Sequence, residues 1–542
     1  MATTSTMDSA EKGVGKGDGD VAMLSAETSG SGLAPRLNVV QGAALIAGGM
    51  IGSGIFTNPG AIIALVGATG PALILWIIGS VLAFTAAMCY AEWGSRITQS
   101  GGDAPFFDHA FRRPPRFFAV IFSWTRVALI NPGYNASLSL IAGQYFAAAF
   151  PETFPSDPNV EYGEFYAKRI AVVLMVLQTL VILLSNNIAG RFLSISTALS
   201  VTCLVLFCGT GLITLFGVLP GKRNLESLSS EHLFAGTTSN PGAFAAAMFK
   251  VMWAQDGFAN LASSLGELKD PKKNVGRASI LGISVVAVLY LFANFTYLVS
   301  LPFDTIITAG DALAAVWGEH MFGAPGRVIV SLLIFCCVLS CSLITMFSSS
   351  RIAHATGEAG LMLFPKFFKH LNSRVGTPDH AVLFNFVVTI VLMFAFQGET
   401  FWRIIDMVSY PLWYFFGFPP PPVSESPLSL TTSTLAAHRF FYGLSSLGLL
   451  VVKARSGGIF HRDPTMQGVQ VHAIGPMAVV AVSTFLMIFP FFQEGSVLTS
   501  ALGWAVMTTG VMPWFVLVYL PSRRAKAAEA TAGAARGETG TQ

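Results

Sequence analysis

A chain of 542 residues with 53% hydrophobic and only 11% charged residues lies far below the quarter of charged residues usual in soluble domains. This excludes an ordinary water-soluble globule and predicts an all-α polytopic membrane protein. The formal net charge of +3 does not point to nucleic acid, because the basic residues collect on one side of the predicted spans.

Residues 1–36 are polar, rich in Gly, Ser, Thr and Ala. They lack the apolar core of a cleavable signal peptide and read as a disordered cytoplasmic tail. Twelve spans are predicted between 37 and 520, at approximately 39–65, 71–92, 117–149, 170–187, 192–219, 243–263, 278–302, 326–350, 380–397, 401–453, 473–493 and 498–520, each bounded by polar residues. Residues 521–542 follow as a C-terminal tail. With the N-terminus inside, the inner connections hold Arg96, Arg112, Arg113, Lys272, Lys273, Arg351 and Lys453. The outer loops carry Glu152, Asp157, Glu161 and Asp304, with Lys168, Arg169, Lys222 and Arg223 as exceptions. The imbalance places both termini in the cytoplasm.

The first span contains Gly48-Gly49-Met50-Ile51-Gly52-Ser53-Gly54-Ile55-Phe56, with four glycines in seven residues. Glycine holds a helix interior poorly. A mid-membrane break is tolerated only where protein or a cavity satisfies the freed backbone groups. Such a break aims N–H groups and a positive half-helix end inward, which suits a carboxylate. The alternative is a small-residue face for close helix packing.

The sixth span carries Gln255, Asp256, Gly257 and Asn260 inside an apolar run, where an ionisable group is costly unless it serves a cavity or partner. Asp256 is the one carboxylate in either break. It is expected either to couple protons or tune substrate release, or to bond freed backbone N–H groups. Interrupted spans at positions one and six are what an inverted five-helix repeat gives. The tenth span is split by Pro419-Pro420-Pro421-Pro422 and a Ser/Thr/Pro-rich stretch. Residues 415–439 read as an insert, with a genuine extended loop as the alternative.

All six cysteines (Cys89, Cys203, Cys208, Cys336, Cys337, Cys341) lie in apolar segments without CxxC spacing and read as packing residues. The sequons at Asn135 and Asn294 fall inside predicted spans and read as chance matches. Glu92 and Glu267 are expected at inner helix ends, pairing with Arg96 or Arg351 as exposed latches worth about 0–1 kcal/mol. Arg126 is expected to pair or to snorkel, and Lys250 to mark a span boundary.

Gly49–Phe56 resembles the first-helix signature of the amino acid–polyamine–organocation transporters. Ser100-Gly101-Gly102-Asp103 is similar to their loop after span two, and Asn131-Pro132-Gly133-Tyr134 to a motif of their L-type amino acid transporter branch. Trp253–Phe258 with Glu267-Leu268-Lys269-Asp270-Pro271, and Ser348–Arg351, resemble that branch's sixth and eighth helices. The polar tail is most similar to fungal methionine permeases. The resemblance implies a LeuT-type 5+5 inverted repeat with broken helices 1 and 6, plus two additional helices. It implies a substrate site at Ile51, Gly52, Ser53, Gly54, Trp253, Ala254 and Asp256. The carboxylate would lie at Gly52–Gly54 and the ammonium at the carbonyls of Trp253 and Ala254. Trp253 would act as a gate, or alternatively as an interface anchor.

Many relatives carry a fifth-helix lysine where this chain has Ser200, which weakens proton coupling there. Arginine-exchanging relatives carry a glutamate where it has Ala259. The expected substrate is therefore a neutral amino acid, methionine or another large one, moved by a secondary transporter in the plasma membrane. Membrane lipid surrounds it, with no cofactor and no evident partner subunit. A transporter-like sensor is the main rival. A membrane enzyme ranks last because the histidines are scattered, and no Walker motif suggests ATP.

Overall fold

The computed structural model describes residues 35–150, 152–154, 162–184, 186–395, 433–464, 466, 468–488 and 509–523. Every regular element among them is helical, apart from an isolated β-bridge between Leu37 and Leu268. Among the described residues five helices are long and apolar enough to cross a membrane, or six when one pair bent by 44° counts as a single span. Residues 1–34 and 524–542 of the predicted tails, the Pro-rich stretch within the predicted insert and the first part of the last span, 498–508, lie outside the described residues.

Helix α1 (Val39–Met50) starts at a reciprocal cap. The Asn38 side chain accepts the Gln41 N–H at 2.8 Å, and the Gln41 side chain accepts the Asn38 N–H at 3.0 Å. It stops at Met50, and α2 (Gly54–Val66) resumes after three residues at the 44° bend. The glycine run thus breaks the first span where the sequence predicts. Helix α3 (Thr69–Arg96) and the short α4 (Ala104–Ala110) lead to α5 (Phe117–Thr125) and α6 (Asn131–Ala149). A π turn, Arg126–Ile130, joins α5 and α6, with the Asn131 N–H reaching the Arg126 carbonyl. Pro132 has no N–H to donate and crowds the carbonyl four residues back, and the wider turn absorbs both defects.

Helices α7 (Tyr162–Leu184) and α8 (Asn186–Leu215) precede α9 (Pro241–Ala254). After Ala254 the chain unwinds through Gln255–Ala259 and continues as 3-10 turns, Asn260–Glu267. The second half of the sixth span is therefore not an α-helix. Leu261, Ala262 and Leu265 are buried there beside Ser263 and Ser264, so the segment is held by packing without an α ladder.

Helix α10 (Pro271–Leu298) and the 35-residue α12 (Ala324–Glu358) flank α1. Between them lie two helices that the sequence reading treats as loop, Phe303–Thr308 and α11 (Leu313–Phe322). Helices α13 (Asp379–Ala395), α14 (Ser433–Arg455) and α15 (Ile474–Ile488) complete the bundle. Helix α14 has 23 residues, because it begins well before the apolar run that opens at Phe440. Large apolar side chains point outward on several long helices, Leu177, Ile195, Val288 and Val387 among them. These faces suit lipid rather than water.

The inner latches differ from their predicted form. Glu92 and Arg351 are almost fully buried, as is Glu267. Arg351 Nε lies 3.3 Å from Glu267 Oε1, and its guanidinium sits 3.4 Å from the Phe347 ring centroid. Glu92 binds Arg96 at 2.8 Å and Lys453 at 2.9 Å, and accepts the Val471 N–H at 2.7 Å. The surface magnitude does not apply to pairs taken out of solvent.

Candidate functional site

Breaking α1 at Met50 frees carbonyls that would otherwise accept from the next turn. Two side chains from other helices take them up. The Tyr290 hydroxyl donates to the Met50 carbonyl at 2.6 Å and the Cys341 thiol to the Gly49 carbonyl at 3.1 Å. Across the break, the Ser53 carbonyl accepts the Phe56 and Thr57 N–H groups at 2.9 and 3.1 Å. The N–H groups of Gly54 and Ile55 precede the first bond of α2 and sit at its positive end. Ser53 is buried, and its hydroxyl makes no capping bond.

Gly54 brings the two breaks together. A Cβ there would lie 2.8 Å from Ala254 Cα, 2.9 Å from Ala254 Cβ and 3.2 Å from Trp253 Cδ1. The N-terminus of α2 therefore packs directly on the C-terminus of α9. Gly257, at φ 115°, repeats the contact further in, since its Cβ would lie 2.6 Å from the Gly49 carbonyl carbon. Gly52 has more room, with Cys341 Sγ at 3.3 Å. Ile51 is fully buried.

At the end of α9 the Trp253 carbonyl accepts the Asp256 N–H at 3.1 Å. The Trp253 indole meets the Tyr134 ring edge-on, with centroids 5.2 Å apart. Gln255 donates to Ser80 Oγ at 2.8 Å. Asp256 Oδ1 accepts from the Gly257 N–H at 2.8 Å and from the Tyr442 hydroxyl at 2.6 Å, which fits the structural alternative for this carboxylate. Replacing Asp256 by alanine strands both donors and is expected to destabilise the folded protein by about 2–4 kcal/mol. Asp256→Asn keeps an acceptor oxygen and should cost less than half of that. Thermal unfolding of the purified proteins compares the two.

Tyr442 leads toward a second buried carboxylate. Its ring packs on Tyr90 with centroids 5.8 Å apart, and the Tyr90 hydroxyl donates to Asp103 Oδ2 at 2.9 Å. Asp103, Arg126, Asn260 and Tyr442 share the wall of a cavity of about 20 Å³, room for a single water. Arg126 is thus placed by the π turn beside Asp103. Asp103 belongs to the connection between α3 and α5, outside the spans. Burial pushes its carboxyl up to about 7, against the opposing Tyr90 hydrogen bond and the Arg126 charge.

The sign of the resulting pH effect follows from that shift. Between the unfolded value near 4 and the folded value near 7, the folded protein keeps a proton that the unfolded chain has lost. Stability should therefore fall as pH rises across that window and level off above it. Asp103→Asn should flatten this slope, as read from melting temperatures between pH 4.5 and 8.

Ile51, Gly52, Ser53, Gly54, Trp253, Ala254 and Asp256 thus gather around one crossing of two broken elements. Tyr134, Tyr290, Cys341 and Tyr442 join them without having been singled out in that role. Asn135 and Asn294 are buried and bonded to Asn385 and to the Tyr290 carbonyl, so neither sequon is presented to solvent. Ser200 bonds the Ser196 carbonyl at 3.1 Å. A family model described as amino acid permease matches residues 37–516. The chain belongs to the amino acid permease family.

This permease is 26% identical over 470 residues to the b(0,+)-type amino acid transporter 1 of Mus musculus, covering 87% of this chain and 85% of that one. It is 26% identical over 519 residues to the large neutral amino acids transporter small subunit 2 of Homo sapiens, covering 94% and 85%. With the high-affinity methionine permease of Saccharomyces cerevisiae it shares 27% identity over 383 residues, 70% of this chain and 64% of that one. The protein is therefore an integral multi-pass membrane protein that transports amino acids, and is not an enzyme. The sensor alternative gains nothing from these likenesses.

Proposed function

We propose that this permease is a secondary transporter of neutral amino acids that works by alternating access around the crossing of α2 and α9. The observation that carries this reading is the contact of Gly54 with Ala254. It sets the positive N-terminus of one half-helix against the carbonyl end of another, a pair of poles matched to a zwitterion. The substrate carboxylate lies on the N–H groups of Gly52, Ser53 and Gly54 with the Ser53 hydroxyl, the Gly52 N–H leaving the Met50 carbonyl that it bonds at 2.8 Å. The ammonium lies on the carbonyls of Trp253 and Ala254, and Trp253 with Tyr134 closes over the substrate. Asp256 holds the second break in shape, and its part in coupling is read from the pH profile of Asp256→Asn.

The bend in α1–α2 and the unwound Gln255–Ala259 support a LeuT-type 5+5 inverted repeat with two further helices. Ala259 in place of an acidic residue supports a neutral substrate. The names of two relatives, for large neutral amino acids and for methionine, support methionine or another large one. The basic connections support cytoplasmic termini, and the reading keeps the plasma membrane as the location, with tails at 1–36 and 521–542 and an insert at 415–439. Uptake of labelled neutral amino acids, at several pH values in a transport-deficient host, tests the reading. Accumulation of large neutral amino acids is expected. Binding without accumulation would replace transport of these substrates with sensing.

A further inference from the structure

At the start of α13, away from the crossing, three metal-ligating side chains converge. His370, Asp379 and His380 each offer a ligand atom, and these atoms all lie within 4.8 Å of one another. We propose that they form a binding site for a divalent first-row transition ion, with zinc as the first choice. A tetrahedral ion with ligand bonds of about 2.0–2.1 Å requires ligand atoms roughly 3.3 Å apart. Closing the site therefore takes side-chain rotations that bring ligand atoms now up to 4.8 Å apart to that spacing and turn one imidazole out of the stack it makes with the other, so that both lone pairs meet at one point. Two imidazoles and one carboxylate leave a fourth position for water, and this mixed nitrogen and oxygen set favours zinc, copper or nickel over calcium or magnesium.

The surrounding groups already hold two of the ligands. His380 Nδ1 lies 3.3 Å from the Phe367 carbonyl. A carbonyl only accepts, so this nitrogen carries the proton and Nε2 keeps the lone pair for the ion. The Asp379 carboxylate is fixed from two sides: the Asn372 side chain donates to Oδ2 at 3.2 Å, and the His380 N–H donates to Oδ1 at 2.8 Å. The His370 Nδ1–H donates to the same Oδ1 at 2.8 Å, which leaves the lone pair for the ion on its Nε2, and the His370 and His380 rings, stacked with centroids 4.0 Å apart at 17°, must part when the ion binds. The His370 side chain is 45% exposed and that of Asp379 20%, which leaves a path of entry. The bound ion ties the connection after α12, through His370, to the first turn of α13.

The test uses the full-length protein purified in detergent, stripped of metal by dialysis against a chelator. Cobalt(II) alone, followed by its visible absorption, should bind saturably at one equivalent in a low-coordinate environment. Zinc alone should displace it and raise the melting temperature. His380→Ala and Asp379→Asn should each weaken zinc binding at least tenfold, while His461→Ala leaves it unchanged. His380→Cys keeps a ligand at the same place, so it should retain one equivalent and shift preference toward cadmium. Zinc binding that is absent in the wild type would overturn the site. So would binding that persists undiminished in His380→Ala or Asp379→Asn protein whose metal-free melting temperature matches the wild type. If His380→Ala fails to fold, the cadmium preference of His380→Cys decides, and an unshifted preference refutes the assignment.

Discussion

Uptake by Gly54→Leu protein is expected to be abolished, and by Gly54→Ala protein to fall roughly tenfold or more. The alanine methyl would stand 2.8 Å from Ala254 Cα, too close for any rotamer to relieve, because its neighbour is backbone. Overpacking of this kind costs about 1–3 kcal/mol, and here it must be relieved by prising α2 from α9. Gly52→Ala meets only a thiol at 3.3 Å and should retain most of the folded protein. Surface level and uptake are measured together, because crowding at Gly54 acts on folding as well as on the site. Ser53→Ala supplies the chemical half of the comparison. It adds no atoms, so loss of uptake at normal surface level points to the hydroxyl. Decarboxylated amines should fail to compete with their parent amino acids. Gly54→Ala protein with normal level and normal uptake would end the assignment of a carboxylate to this crossing.

Removing the charge of Arg351 should be the most destabilising single change at this end of the bundle, where Glu92 and Glu267 are buried. Arg351→Met leaves Glu267 buried without its 3.3 Å partner. Breaking a buried pair on one side costs about 3–5 kcal/mol. The double replacement Arg351→Met with Glu267→Gln removes both charges and should recover most of that loss. Melting temperatures of the two single variants and the double variant, arranged as a thermodynamic cycle, give the coupling directly. Equal and additive losses would show that the pair contributes nothing beyond its two separate side chains.

The break in the first span could be read in advance because glycine acts locally, on the residues that carry it. The polar cluster Gln255–Asn260 was legible for the same reason, as a run of groups that hydrocarbon does not tolerate. What the sequence hides are the partners that make these breaks affordable in a membrane. Tyr290 and Cys341 reach Met50 and Gly49 from 240 and 292 residues away, and Tyr442 reaches Asp256 from 186 residues away. Each is one mildly polar side chain in a long apolar helix, and periodicity alone does not distinguish it from core. Cys341 therefore read as packing. The inner end of the sixth span misled in the opposite direction, since an apolar run with Ser263 and Ser264 carries no signal separating 3-10 turns from an α-helix. Burial of the Glu92 and Glu267 pairs was illegible because it depends on α12, α14 and the chain near Val471 closing over them.

The pairing just before α1 has a mechanical consequence. The Arg36 and Leu37 N–H groups both bond the Glu267 carbonyl, at 2.7 and 2.8 Å, and the Lys269 N–H bonds the Leu37 carbonyl at 2.9 Å. With Gly257 seated on Gly49, α1 and the 3-10 segment of the sixth span are joined at both ends. They form one bonded unit bounded by the two interruptions, Ile51–Ser53 and Gln255–Ala259. Neither part can swing alone without tearing three backbone hydrogen bonds. The Glu267–Arg351 pair in turn ties this unit to α12.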